Sequence, residues 1–84
     1  MTKVKKADGS VEDFKTEKII TAITKAGGAQ DLARQIAEEV ANSFAQKDMV
    51  ESKEIRNAVL ARLKSRDKKT YNSWLAYDKQ KGKQ

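Results

Sequence analysis

The spacing of apolar positions changes at Thr16. Before it, Val4, Val11 and Phe14 sit in two short segments, Lys3 to Ala7 and Ser10 to Phe14, around the pair Asp8-Gly9. β-Branched and aromatic residues suit a pleated surface, and an Asp-Gly pair suits a tight reversal because Gly accepts positive φ without steric cost. The stretch 3–14 therefore reads as a β-hairpin. Two registers are open. A two-residue loop sets Lys5 opposite Glu12; a three-residue loop, Asp8-Gly9-Ser10, sets Lys6 opposite Glu12 and Val4 opposite Phe14. A lone hairpin is marginal in water, so it must rest on something.

From Thr16 the period is helical. Ile19, Ile20, Ile23 and Ala26 share one face, with Lys15 or Thr16 at the cap and Glu17 in the first turn. Gly27-Gly28 ends this helix. Leu32, Ile36, Val40 and Phe44 repeat at four-residue steps, and Ala33, Ala37 and Ala41 beside them permit close helix approach. Gln46 to Glu51 reads as a connection, with Met49 and Val50 pinning it to the core. Ser52 caps a third helix, Glu54 complements its dipole, and Ile55, Val59 and Leu63 form its buried stripe, flanked by Ala58 and Leu60. A fourth helix is expected to bury Tyr71, Trp74 and Leu75, with Tyr77 a further candidate for its buried face. The predicted helices span about 16–26, 29–45, 52–65 and 69–79, with a frayed tail at 80–84. The expected fold is α+β, mainly α: one domain over 1–84, with an N-terminal hairpin packed on a bundle of four helices.

Composition narrows the chemistry. The chain of 84 residues has no Cys and no His, which removes disulfides, thiolate nucleophiles and the usual neutral-pH general base. Enzymology would rest on carboxylates and lysines alone, so a non-enzymatic protein without a bound metal is expected. No apolar run approaches the roughly 20 residues of a membrane span, and no apolar segment follows the basic N-terminus as in a signal peptide. A soluble, cytoplasmic protein with no membrane association is the expectation. The net charge of +6 divides as +1 over residues 1–18, −2 over 19–52 and +7 over 53–84. A basic surface of this kind attracts polyanions in general.

The series Val4-x-Lys6-x-Asp8-Gly9-x-x-Glu12-x-Phe14-x-x-x-Lys18-Ile19, followed by Ala22-Ile23, resembles the opening of the ATP-cone. Ser52-x-x-Ile55 and Trp74-Leu75-Ala76-Tyr77 resemble the start of that family's third helix and its Tyr-rich last helix. The resemblance spans nearly the whole chain in the right order. The ATP-cone is a regulatory nucleotide-binding module at the N-terminus of many ribonucleotide reductases. It also occurs in bacterial repressors of reductase genes and in some archaeal kinases.

The resemblance implies a hairpin lying as a lid over four helices, with ATP or dATP beneath it and any Mg2+ arriving with the nucleotide. Val4 would line the base pocket and Lys6 would reach the phosphates. Glu12 and Lys18 would make polar contacts to the nucleotide, and Ser52 would present its hydroxyl and a helix N-terminus. Paired lysines and a helix N-terminus are independently suited to phosphate oxygens. Three positions depart from the family pattern: Ala7 and Asp78 stand where Arg is usual, and Lys15 replaces the usual Asp or Asn cap.

The resulting expectation is a free-standing nucleotide sensor acting through self-association or a protein partner. Two alternatives use other features. The cluster Arg62, Lys64, Arg66 and Lys69 is a candidate polyanion patch that would bind nucleic acid. The departures at Ala7, Lys15 and Asp78 suit a cone that has lost its ligand and serves as a protein-interaction module. The bland reading of the same residues is a Lys6–Glu12 cross-strand ion pair, a solvated helix end and a Trp74–Tyr71 core anchor.

Overall fold

The computed structural model describes residues 2–82. Side chains from Asp78 onward, among them the charges of Asp78, Lys79, Lys81 and Lys83, lie outside the described residues, as does the end of the expected tail at 83–84. Chain order is β1 (Lys3–Lys5), β2 (Val11–Asp13), α1 (Thr16–Lys25), α2 (Gln30–Ser43), β3 (Met49–Glu51), α3 (Ser52–Arg66) and α4 (Lys68–Gly82). The fold is mainly helical α+β, with four helices and a small sheet. The last helix runs on through Gly82, and on it Tyr71, Trp74 and Leu75 are half-buried whereas Tyr77 is 64% exposed, so it does not join the buried face.

The hairpin adopts neither of the two expected registers. Val4 faces Glu12, Lys3 faces Asp13 and Lys5 faces Val11. The loop is Ala7-Asp8-Gly9, closed by Gly9 N–H donating to Lys6 O at 2.9 Å and Lys6 N–H donating to Ser10 O at 2.8 Å. Asp8 Oδ1 accepts from the Ser10 N–H at 2.9 Å and from its hydroxyl at 2.6 Å. That local bonding, with Gly9 at φ 90°, moves the reversal one residue toward the N-terminus.

Met49–Glu51 is not a plain connection but a third strand. It pairs parallel to β1, with Lys3, Val4 and Lys5 facing Met49, Val50 and Glu51, in the order β2-β1-β3. Val4 and Val50 are buried, so this row of the sheet faces the helices while Lys3, Lys5, Met49 and Glu51 stay exposed. Thr2 secures the entry to β1, its hydroxyl donating to Phe44 O at 3.1 Å and Lys47 O at 2.9 Å.

α2 packs between α1 and α3, and α4 closes on α3. The core combines Ile19 and Ile23 of α1, Ala33, Ile36, Ala37 and Val40 of α2, and Val59 and Leu63 of α3. Leu32 and Phe44 are only partly buried; the alanines take the centre of the stripe because they let neighbouring backbones approach. α1 ends in a Schellman turn, Gly28 N–H donating to Ile23 O at 3.0 Å and Gly27 N–H to Thr24 O at 3.0 Å. Gly28 also brings this turn against α4: a Cβ there would lie 2.6 Å from Ile23 Cγ2 and 3.3 Å from Thr70 Cγ2.

Candidate functional site

Strand alternation places Val4 and Glu12 side by side on the helix-facing row, and Lys6 follows two residues beyond Val4. α1 begins three residues after β2, which carries Lys18 to the same place. Lys18 Nζ donates to Glu12 Oε1 at 2.7 Å, and Lys6 Nζ lies 3.2 Å from Glu12 Oε2. One carboxylate thus engages both lysines, one from the hairpin and one from the helix. The bond from Lys18, then that from Lys6, holds the Glu12 carboxyl below its ordinary value. The other acid of β2, Asp13, pairs with Lys3 on the opposite side of the sheet.

Ser52 does not occupy the expected cap position. The N-cap of α3 is Glu51, and Ser52 is the first helical residue. Glu51 and Glu54 form a capping box: the Glu51 side chain accepts the third-residue N–H, and Glu54 Oε2 accepts the Glu51 N–H at 2.9 Å. Parallel pairing of Lys5 with Glu51 makes Lys6 and Ser52 the next residues off the same end of the β1–β3 ladder. Lys15 is the N-cap of α1 and makes no side-chain cap bond, consistent with its lack of an acceptor.

Lys18 stands between two concavities. On one side is a groove of about 480 Å³ between α1 and α4, bordered by Lys18, Thr21, Ala22, Lys25, Trp74 and Tyr77. On the other is a polar recess of about 360 Å³ that includes Lys3, Glu12, Asp13 and Lys15. Trp74 packs on the core while bordering the groove, so it is both an anchor and a wall. The groove volume falls in the range of roughly 300–1,000 Å³ typical of small-molecule sites.

The basic cluster of α3 is arranged differently from the expected patch. Arg66 forks onto Glu39 of α2, Nη1 to Oε2 and Nη2 to Oε1 both at 2.7 Å. Arg62 adds Nε to Glu39 Oε1 at 3.1 Å, Nη1 to Ala58 O at 3.0 Å and Nη2 to Ser43 Oγ at 3.1 Å. Two of the four patch cations therefore clamp α3 to α2, while Lys64 and Lys69 are exposed. Glu39 lies 23 and 27 positions upstream of its partners, and no local pattern announces it. Asp67 is another residue that periodicity passes over. It accepts the Thr70 N–H at 3.2 Å and the Thr70 hydroxyl at 2.6 Å, and so starts α4. Among the described residues, no group of three or more acidic side chains could hold a metal ion, and no helix is long and apolar enough to cross a membrane.

The family model of the ATP cone domain matches residues 2–83. The chain belongs to the ATP-cone family. None of the curated proteins matches it. ATP-cone domains are regulatory, non-catalytic modules that bind ATP or dATP as effectors. Within this ATP-cone, Lys6, Glu12 and Lys18 are in direct contact, Val4 is the cross-strand neighbour of Glu12, and Ser52 leaves the sheet at the same end as Lys6.

Proposed function

We propose that this ATP-cone binds ATP or dATP at its hairpin and acts as a sensor of that nucleotide. The observation that carries this reading is the meeting of Lys6 and Lys18 on one carboxylate beside the Trp74 groove. Two ammonium groups held this close offer charge-assisted hydrogen bonds to phosphate oxygens. The groove next to Lys18 offers an apolar, aromatic-walled place for a base; Val4 borders neither concavity and is buried in the sheet opposite Glu12. Ser52 adds a hydroxyl at the α3 end. Mg2+ would travel with the phosphates.

Bound nucleotide would clamp the hairpin against α1 and the start of α3 and change the face offered to a second copy or a protein partner. No step of catalysis is part of this reading. The chain contains one Trp, so Trp74 is a built-in reporter. Fluorescence and calorimetric titration with ATP, dATP and ADP should show saturable binding at or below about millimolar concentration, accompanied by a change in Trp74 emission. Failure of all three nucleotides to bind in that range refutes the proposal.

A further inference from the structure

Both features of the hairpin region that attract anions already hold a carboxylate of the chain itself. Glu12 sits between Lys6 and Lys18, and Glu51 caps the first turn of α3. In each case a side-chain oxygen stands where a phosphate oxygen could accept from the same donors. A phosphate that approaches Lys6 and Lys18 therefore meets an occupied pair.

We propose that Glu12 is the resident counter-ion of this site, and that a polyphosphate enters by displacing it from Lys6 and Lys18. The proposal rests on the nucleotide reading above and adds how that site is regulated. Glu12 is suited to this by its position. It shares a row with buried Val4 and Val50, so its carboxylate lies on the helix-facing side, whereas Asp13 pairs away from it. Both of its oxygens are engaged, and they join the hairpin to α1 through side chains alone.

Exchange needs no unfolding. The Glu12 side chain is 33% exposed, and those of Lys6 and Lys18 are 46% and 58% exposed, so ligand and solvent reach all three. With a phosphate on the lysines, a Glu12 left in place would face a second anion at short range, and like charges there repel. The carboxylate must yield one or both lysines. A triphosphate can engage both lysines at once and carries the charge to compete, whereas a monophosphate competes less well. The resident carboxylate thus holds the unliganded hairpin to α1, lowers affinity for every phosphate, and favours longer polyphosphates.

The test is calorimetry on the full chain and on Glu12→Gln, with inorganic tripolyphosphate and with ATP. Glu12→Gln is expected to bind tripolyphosphate about tenfold more tightly than the wild type, equivalent to ~1.4 kcal/mol. Unchanged or weaker tripolyphosphate binding in Glu12→Gln overturns the proposal. If that result comes with weakened ATP binding, Glu12 contacts the nucleoside directly and the nucleotide reading survives. If Glu12→Gln gains tripolyphosphate affinity while the wild type binds no ATP, the exchange stands and the nucleotide reading falls. Glu12→Asp keeps the charge on a shorter arm. Should Glu12→Gln melt without cooperativity, a gain in tripolyphosphate affinity by Glu12→Asp supports the exchange, and no gain overturns it.

Discussion

Arg66 and Glu39 form a two-pronged ion pair across the α2–α3 interface, with both nitrogen–oxygen distances at 2.7 Å. Arg62 shares the same carboxylate, so a single acid on α2 serves two turns of α3. The bond from Arg66 holds Glu39 below its ordinary value of 4.5. A carboxylate depressed in the fold stabilises it above the unfolded pKa, and that contribution is lost as pH falls through the folded one. Glu39→Gln should therefore lower the melting temperature at neutral pH in low salt. The difference from wild type should shrink as salt is added, because both side chains are more than a third exposed, and should fade as pH falls below 4.5 and on through the depressed folded value. Thermal melts from pH 7 to 3 check both trends.

The two glycines after α1 should respond differently to Ala. Gly27 has φ 103° and open space around its Cβ position, so Gly27→Ala adds only left-handed backbone strain of roughly 1–2 kcal/mol. Gly28→Ala forces a methyl within 2.6 Å of the fully buried Ile23 side chain. Overpacking of this kind costs about 1–3 kcal/mol, and the push on Thr70 should loosen α4 as well. Urea unfolding, with exchange protection of α4 amides, separates the two effects.

Val50 is 1% exposed and is the only buried residue of β3. Val50→Ala should cost about 2 kcal/mol by denaturant unfolding, counting both the lost methyls and the cavity. Because Val50 faces Val4 across the ladder, the loss should extend to the hairpin amides in hydrogen exchange. An effect confined to β3 would mean that the two strands open independently.

Ala7 stands exposed in the hairpin loop, next to Lys6. Ala7→Arg should tighten ATP binding by about tenfold, the size of one charge-assisted hydrogen bond after solvation is set against it. Stability should barely change, since the loop position is open. Calorimetry beside the wild type measures the gain, and an unchanged affinity would place the phosphates out of reach of the loop.

Helical period alone located the α1 face, the Gly27-Gly28 stop and the Ile55–Val59–Leu63 stripe, because each depends on neighbours three or four residues away. The resemblance to the ATP-cone singled out Lys6, Glu12 and Lys18, but not that one carboxylate engages both lysines. What escaped was long-range or hidden in a side chain's choice of partner. β3 contains a single buried apolar residue, too little to signal a strand, and it exists because β1 offers it an edge. The hairpin register turned on the Asp8 carboxylate preferring Ser10. At α3, Ser52 looked like the cap by residue preference, yet Glu51 and Glu54 satisfy each other's backbone and displace it. The Glu39 clamp joins residues that no local window contains.

Parallel pairing of β1 with β3 has a mechanical consequence. β3 runs without a break into α3, so the hairpin is no independent flap: tilting β1 pulls on the first turn of a rigid rod. Fifteen helical residues make that rod about 22 Å long. Its far end is where Arg62 and Arg66 grip α2, which turns the pair of helices into a lever with its load opposite the hairpin.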